Sequence, residues 1–170
     1  MKKIEDVCIL VQARLGSQRV PNKMLRPFAG TTLTDILFKK LKSSKVIPKN
    51  NIYFSAWEQE LKDVAKKHDI NIYHRSEQSA NEDNSLQLIY EWHDKLPFKY
   101  VILVSACNPL LKIETIDSFV ESFINSDKEG GFAVFEKKTY YWDKDGKSIN
   151  IIFRTKPKKT MLERCDCVSP

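Results

Sequence analysis

Residues 7–25 of this chain read VCILVQARLGSQRVPNKML. The first seven of them, residues 7–13, are mostly apolar, rich in β-branched side chains and without a helical period, which is typical of a strand buried on both faces of a parallel sheet. A polar loop follows directly. Because open parallel sheets bind their ligands at the carboxyl ends of the strands, this loop is where we first expect a functional site.

Strand and helix patterns alternate along the rest of the chain. We predict further strands at residues 51–56, 70–73 and 100–106, and helices at residues 31–41, 58–68, 85–96 and 113–124. The strand at residues 100–106, YVILVSA, is almost wholly apolar like the first. This alternation favours an α/β domain with three layers, right-handed crossovers and a mostly parallel sheet. The loop after residue 106 is then the second place to look for a ligand.

The pattern changes after residue 131. An aromatic run, TYYW, a turn sequence, DKDGKS, and an apolar run, INIIF, predict an antiparallel hairpin near the C-terminus. This hairpin is also a candidate surface for pairing with another chain. We expect one domain over residues 1–155 and a basic tail over residues 156–170, whose lack of periodicity is typical of a disordered end.

The composition fits one globular domain and argues against export or a membrane span. With 170 residues, 42% of them hydrophobic, the chain can bury a core. No window approaches about 18 consecutive apolar residues, and the N-terminus lacks the long apolar centre of a secretory signal. The four cysteines match neither a disulfide framework nor a tetrahedral metal site, so we predict reduced thiols in a cytoplasmic protein.

The net charge of +6 is concentrated in the first third of the chain. Residues 1–50 hold eleven Lys and Arg against three Asp and Glu. A basic surplus can serve nucleic acid, a membrane surface or a small polyanion, and composition does not choose among them. No nucleic-acid-binding motif is present and the aromatic residues are not interleaved with the cations. We therefore predict neither nucleic acid nor a membrane as a partner.

The loop at residues 12–25, QARLGSQRVPNKML, carries the most informative chemistry in the chain. It places the cations Arg14, Arg19 and Lys23 together with Gly16 and Ser17. Glycine allows backbone amides to approach an anion, a serine hydroxyl adds a donor, and arginine forks match phosphate oxygens. These are the parts of a triphosphate cradle, although neither GxxxxGKS/T nor GxGxxG is present. From the residues alone, a solvated basic loop remains the alternative.

The spacing of this loop resembles the pattern ARxGSxRxPxK of the cytidylyltransferases that activate sugar acids, the acylneuraminate (sialic-acid-type) group, and of their relatives in spore-coat polysaccharide synthesis. The matching positions are Ala13, Arg14, Gly16, Ser17, Arg19, Pro21 and Lys23. Weaker similarity continues through Leu25, Gly30, Leu33, Arg75, Asp83, Leu86, Asn108, Pro109, Leu110, Ile116 and Asp117. The resemblance implies a Rossmann-like nucleotide-diphospho-sugar transferase fold of three layers.

The resemblance also implies a reaction, in which a hydroxyl of a sugar acid attacks the α-phosphate of CTP to give a CMP-sugar and pyrophosphate. It makes Arg14 and Lys23 the catalytic cations that stabilise the departing pyrophosphate, and it places Asn108 against the acceptor sugar. The nucleotide-binding residues that it implies are Gln12, Ala13, Arg14, Gly16, Ser17, Arg19, Lys23, Arg75, Asp83 and Ser85. Backbone groups around Gln12 and Ala13 would read the cytosine. Mg²⁺ as cofactor and a homodimer are implied in the same way.

Two positions depart from the pattern. Spore-coat relatives carry an aspartate just after the fourth strand, where this chain has Cys107, and a thiol is a poor ligand for Mg²⁺. Sialic-acid-type members usually carry asparagine where this chain has Met24. We therefore assign no metal ligands, and two hypotheses stay open. In one, a partner chain or a different metal geometry completes an active enzyme; in the other, a shortened relative binds nucleotide without turnover. The acceptor sugar is not predicted.

Overall fold

The computed structural model of the chain describes residues 2–134 and 139–149. The chain divides into two compact units, Met1–Gly131 and Phe132–Pro170. Every named strand and helix of the described residues lies in the first unit. The predicted domain end at residue 155 and the predicted tail at residues 156–170 lie outside the described residues.

The first unit is built on a parallel sheet, which has four strands in the described part of the chain. They are β1 (Val7–Gln12), β2 (Ile52–Ala56), β3 (Asn71–His74) and β4 (Tyr100–Leu103), in the spatial order β3-β2-β1-β4. Ile9 of β1 pairs with Ile52 on one side and with Ile102 on the other, so β1 is flanked by strands at both edges. A strand in this place is buried on both faces, which explains its continuous apolar run.

The strands are connected by helices whose starts are set by polar caps. Residues 2–134 contain α1 (Leu33–Lys42), α2 (Gln59–Lys67), α3 (Glu77–Asn81), α4 (Leu86–Ile89) and α5 (Ile113–Asn125), with short 3-10 turns at Ile4–Asp6 and Lys49–Asn51. At the start of α1, the hydroxyl of Thr32 accepts a hydrogen bond from the amide of Asp35 at 3.1 Å. Helical spacing then buries Leu37, Phe38 and Leu41. None of the helices described is both long enough and apolar enough to cross a bilayer.

Side chains of β1 alternate between two cores, one on each face of the sheet. Ile9 and Val11 belong to the larger core, which they share with buried residues of α1, α2 and α5. Cys8 and Leu10 point to the other face, where they pack with Trp92. Burial raises the pKa of the Cys8 thiol to about 12, so this cysteine is a core residue and not a nucleophile. The predicted α/β fold with a parallel sheet is confirmed.

The predicted helix at residues 85–96 is wrong in extent, because α4 ends at Ile89. The carbonyl of Ile89 accepts a hydrogen bond from Nε2 of Gln12 at 3.1 Å, and the indole of Trp92 donates to Oε1 of Gln12 at 2.8 Å. Gln12 thus holds the chain just after α4 against the end of β1. A side chain 77 residues away in sequence therefore shapes this segment, and the local apolar period could not indicate it.

β4 is also shorter and less buried than the sequence predicts for residues 100–106. The strand ends at Leu103, whose side chain is 47% exposed. Within the described residues β4 pairs only with β1, so it is an edge strand. Its side chains are therefore only partly buried, although its sequence is apolar. The amide of Val104 still bonds the carbonyl of Leu10 at 3.0 Å.

The aromatic run and the turn of the predicted C-terminal hairpin fall within the described residues. Trp142 and Ser148 form an antiparallel bridge, and between them Gly146 has a φ of +75°, a conformation that favours glycine. The carboxylate of Asp143 accepts the amide of Lys147 at 2.8 Å and so closes the turn. Most of the second arm lies outside the described residues, so the hairpin stays a prediction.

Candidate functional site

A cleft of about 840 Å³ opens where β1 and β4 end. Its walls come from the loop after β1, the segment between β3 and α4, and the residues that follow β4. Most residues that the sequence predicted for the site line this cleft: Gln12, Ala13, Arg14, Gly16, Ser17, Arg19, Lys23, Arg75 and Asp83. Ser85 and Asn108 are not among the lining residues. One cleft thus brings together residues from distant parts of the sequence.

Gln12 and Ala13 form the floor of the cleft, and part of their polar surface is already used. The two polar ends of the Gln12 side chain bond to the end of α4 and to the segment that follows it, as described above. The amide of Ala13 donates to the carbonyl of Ser55 at 3.1 Å and extends the ladder to β2. The Ala13 amide is therefore not free to bind a ligand, and one donor and one acceptor of the Gln12 side chain are already used.

The loop after β1 is anchored at both ends. Near its start, the amide of Leu15 donates to Oε1 of Glu58 at 2.6 Å, and the amide of Ser17 turns back to the carbonyl of Leu15 at 2.7 Å. Near its end, Met24 is only 3% exposed, and its carbonyl accepts the hydroxyl of Thr34 at 2.8 Å. Met24, which departs from the family pattern, is thus a core residue that also touches the cleft.

Arg14 reaches from this loop to the segment after β3. Its Nη1 donates to the carbonyl of Ala80 at 3.0 Å, and its Nη2 pairs with the carboxylate of Asp83. The pair is partly open to solvent, with the Arg14 side chain 33% exposed. A guanidinium has five N–H donors in one plane and two of them are used here, so Arg14 keeps donors for an anion while the Asp83 carboxylate offsets part of its charge.

Arg75 is the buried cation of the cleft, with 4% of its surface exposed. Its Nε donates to the hydroxyl of Ser79 at 2.8 Å and its Nη2 to the carbonyl of Ser79 at 2.6 Å. Burial lowers the pKa of Arg75 and the nearby charge of Arg14 adds to the shift, whereas the carboxylates of Glu91 and Glu58 oppose it. These contacts fix the guanidinium of Arg75, so its positive charge is held at one side of the cleft.

Arg19 and Lys23 line the cleft without a carboxylate partner in the part of the chain that the structure describes. Between Arg14 and Arg19, Gly16 has open space around it: a Cβ built there meets no atom within 4 Å, and its φ is not in the left-handed region. The protein itself therefore does not require glycine at this position. The open space at Gly16 and the positive charges of Arg19 and Lys23 are suited to binding an anion.

Ser85 and Asn108 lie just outside the lining and have structural contacts of their own. The hydroxyl of Ser85 caps α4 by accepting the amide of Leu88 at 3.4 Å. The carbonyl of Asn108 is 3.4 Å from Nζ of Lys40, which also donates to the next carbonyl along the chain at 2.8 Å. Burial lowers the pKa of Lys40. Lys40 of α1 thereby holds the loop after β4.

Some lining residues were not among the predicted site residues: Gln18, Met24, Glu82, Ile89, Tyr90 and residues 103–107. Oε1 of Glu82 accepts the amides of residues 83, 84 and 85 at 3.0, 2.7 and 3.1 Å, which shapes this wall and lowers the Glu82 pKa. Ile89 and Tyr90 reach the cleft beside the Gln12 contact, which has no sequence signal. Residues 105–107 follow the fourth strand, so the carboxyl-end rule points to them.

The donors in the cleft do not fit a resident Mg²⁺ ion, which prefers oxygen ligands in octahedral geometry. Among residues 2–134 and 139–149, no three His, Cys, Asp or Glu side chains are grouped closely enough to hold a metal. Asp83 is paired with Arg14, Glu82 accepts backbone amides, and Cys107 offers a thiol. The predicted Mg²⁺ therefore finds no ligand set in the described residues.

Comparison with known proteins places this geometry in context. Residues 8–163 match a family model described as Cytidylyltransferase. The chain is similar to the spore coat polysaccharide biosynthesis protein SpsF of Bacillus subtilis (strain 168), with 24% identity over 128 residues, which are 74% of this chain and 53% of that protein. It is also similar to the 3-deoxy-manno-octulosonate cytidylyltransferase of Francisella tularensis subsp. holarctica (strain LVS), with 27% identity over 138 residues, 79% of this chain and 52% of that protein.

A solved structure extends the similarity to three dimensions. A cytidylyltransferase from Leptospira borgpetersenii serovar Hardjo-bovis (strain JB197) superposes with a TM-score of 0.59 and 25% sequence identity, over 72% of this chain and 50% of that one. The chain spans about half the length of the curated relatives that it matches.

Proposed function

Because the chain belongs to the cytidylyltransferase family, we propose that it transfers a cytidylyl group from CTP to a hydroxyl of a sugar acid, giving a CMP-sugar and pyrophosphate. The observation that carries this proposal is the cleft at the ends of β1 and β4, where Arg19 and Lys23 have no carboxylate partner among the described residues. Cations without partners at that edge of a parallel sheet are suited to a triphosphate.

The reaction needs charge neutralisation more than covalent help from the protein. The acceptor hydroxyl attacks the α-phosphorus of CTP and loses its proton to solvent, a new phosphorus–oxygen bond to the sugar forms, and the bond from the α-phosphorus to the bridging oxygen breaks. Negative charge collects on the departing pyrophosphate, and Arg14 and Lys23 stabilise it there. To make this contact, the Arg14 guanidinium releases the Asp83 carboxylate and donates a hydrogen bond to a phosphate oxygen instead.

The nucleotide lies across the cleft in this proposal. Gly16, Ser17 and Arg19 bind the triphosphate together with the two catalytic cations. Backbone groups of Gln12 and Ala13, with Arg75 and Asp83, contact the nucleoside. Ser85 supports this wall through the cap of α4, and Asn108 contributes on the acceptor side through the loop that Lys40 holds.

The relatives suggest the class of acceptor. One is named for 3-deoxy-manno-octulosonate, a sugar acid, and another for spore coat polysaccharide biosynthesis. We propose a sugar acid that enters a polysaccharide as the acceptor, in a cytoplasmic homodimer. Light scattering tests the dimer, because a strictly monomeric protein at all concentrations contradicts it.

Nucleotide binding without turnover is the second candidate function. The observation that favours it is that no Mg²⁺ ligand set is found among the described residues. Both candidates share the CTP site and differ only in product formation.

The test is pyrophosphate release from CTP, with a panel of sugar acids that includes 3-deoxy-manno-octulosonate, in Mg²⁺, in Mn²⁺ and in chelator. Lys23→Ala is expected to lower the rate by about 100-fold, in line with the loss of one charged group that stabilises a leaving group. Lys39→Ala, an exposed lysine of α1, is the matched control and keeps the wild-type rate. CTP binding without any product selects the second candidate, and a wild-type rate in Lys23→Ala contradicts the assigned role.

A further inference from the structure

The start of α2 is built differently from the starts of three other helices. Thr32, Ser76 and Ser85 each cap a helix by accepting a backbone amide of its first turn. The corresponding residue of α2 is Glu58, which is not among the preferred capping residues and makes no hydrogen bond to its own helix through the side chain. α2 therefore leaves its first amides without the cap that these helices have.

The carboxylate of Glu58 bonds instead to the loop after β1. Its Oε1 accepts the amide of Leu15, 43 residues earlier in the chain, at 2.6 Å. A hydrogen bond from a backbone amide to a carboxylate is roughly twice as strong as a neutral one. Leu15 lies between Arg14 and Gly16, and its carbonyl accepts the amide of Ser17 at 2.7 Å. The bond from Glu58 thus holds the base of the turn that carries Gly16 and Ser17.

The second oxygen of Glu58 has an unusual environment. Oε2 is buried and has no hydrogen-bond partner among the described residues. Such an atom is unfavourable in a protein interior unless opposite charge lies near. Arg75, which is 4% exposed and lines the cleft, interacts electrostatically with the Glu58 carboxylate and so opposes part of this cost, although no hydrogen bond joins the two among the described residues. The chain keeps a poorly satisfied carboxylate at the base of this loop, and such breaks of local rules are concentrated at functional sites.

We propose that Glu58 is a positioning residue for the triphosphate loop: its carboxylate holds the Leu15 amide so that Gly16, Ser17 and the flanking arginines keep the geometry that a triphosphate requires. The identity of the ligand rests on the proposed function. The hydrogen bond by which Glu58 positions the loop does not rest on the proposed function, and it can be measured without any ligand.

The test uses Glu58→Ala and Glu58→Gln, with Glu60→Ala as the matched control. Glu60 is an exposed glutamate in the first turn of the same helix and is not among the residues that line the cleft. Amide hydrogen exchange of Leu15, followed by NMR on the free protein, reports the hold on the loop. Calorimetry with CTP and with inorganic tripolyphosphate, at a temperature where each variant is folded, reports ligand binding.

In Glu58→Ala the Leu15 amide should exchange at least tenfold faster, and both ligands should bind at least tenfold more weakly. Glu58→Gln keeps a hydrogen-bond acceptor but loses the charge. Its Leu15 exchange rate and its two affinities should therefore lie between those of Glu58→Ala and the wild type, and each should differ from the wild-type value by at least threefold. Glu60→Ala should match the wild type in every measurement.

Unchanged exchange of the Leu15 amide, or unchanged affinity in a folded Glu58→Ala variant whose melting temperature alone is lowered, overturns the proposal. If Glu58→Ala does not fold, Glu58→Gln decides, and wild-type exchange and affinity in that variant overturn it. Failure of the wild type to bind CTP or tripolyphosphate overturns the proposed function and the triphosphate role with it, while the exchange measurement separately decides whether Glu58 holds the loop.

Discussion

Gly16 and Gly30 differ in whether the fold itself requires a glycine. At Gly30 the backbone requires glycine, because φ is +74° and, with Ala29 at +48°, forms the turn that pairs Phe28 with Thr31. At Gly16 neither the backbone angle nor the space around the residue excludes a side chain. If glycine matters at this position, it matters because something approaches the loop there.

We therefore expect Gly16→Ala to leave the free energy of unfolding within about 0.5 kcal/mol of the wild type, since the site tolerates a Cβ without strain. CTP affinity should fall by about tenfold, or about 1.4 kcal/mol, because the methyl group occupies space intended for the phosphates. Urea denaturation and calorimetry measure the two quantities. Gly30→Ala is the opposite control and should lower stability by about 1 kcal/mol without a comparable change in affinity. An unchanged CTP affinity in Gly16→Ala would show that the phosphates do not pass Gly16.

The position of the first-loop cations at the end of a strand was predictable from the sequence, and their partners were not. Arg14, Arg19 and Lys23 are close in sequence, and their position after an apolar run places them at the end of a strand. The pairing of Arg14 with Asp83 joins positions 69 residues apart and has no local pattern. For the same reason, the contact of Glu58 with the loop appears only in three dimensions.

At the scale of elements, helical periodicity and continuous apolar runs predicted the elements that bury their apolar side chains in the core. The strands β1 and β2 and the helices α1, α2 and α5 agree with prediction to within a few residues. The α-helix that sequence reasoning missed among the described residues is α3, a five-residue helix that depends on the Ser76 cap and on the bonds between Arg75 and Ser79. Its stability comes from these polar contacts and not from an apolar face, so periodicity could not reveal it.

A polar contact also joins α1 to the end of α2. Oδ1 of Asp35 lies 2.6 Å from Nε2 of His68, and both side chains are largely buried. Burial alone would raise the Asp35 pKa, but the hydrogen bonds from His68 and Thr32 outweigh it and lower the pKa below its usual 3.8. A carboxyl whose pKa is lowered in the folded state stabilises the fold above its unfolded-state pKa and loses that contribution as the pH falls through the folded-state value.

Asp35→Asn should therefore destabilise the protein by about 1–2 kcal/mol at pH 7, because a hydrogen bond to a charged group is lost. The difference between variant and wild type should shrink as the pH falls below the usual carboxyl value, since the wild type then loses the same charge. Urea denaturation across this pH range measures it. Asp94 pairs with His93 on the surface, with side chains 92% and 78% exposed, so Asp94→Asn is the matched control and should change nothing. A difference that persists undiminished at low pH would contradict the assignment to the Asp35 charge.

At the scale of the molecule, positive charge is concentrated at the edge of the sheet where β1 and β4 end. The basic surplus of residues 1–50 includes Arg14, Arg19 and Lys23 of the cleft, and Arg75 adds a buried charge from another segment. The carboxylates of the cleft oppose this charge only in part, because Asp83 faces Arg14 while the other two loop cations have no carboxylate partner in the described residues. A cleft of this kind concentrates small polyanions by electrostatic attraction.

CTP binding should accordingly weaken as salt rises, because the Debye length falls from about 14 Å near 50 mM to about 6 Å near 300 mM and the loop cations Arg14, Arg19 and Lys23 are at least partly open to solvent. We expect the dissociation constant for CTP to rise on the order of tenfold over this range, measured by calorimetry in potassium chloride. Cytidine, which lacks the phosphates, should bind more weakly and show almost no dependence on salt. Equal salt dependence for CTP and cytidine would mean that contacts to the nucleoside, and not the cations of the loop after β1, supply the affinity, and it would remove the physical basis for a triphosphate cradle at this edge of the sheet.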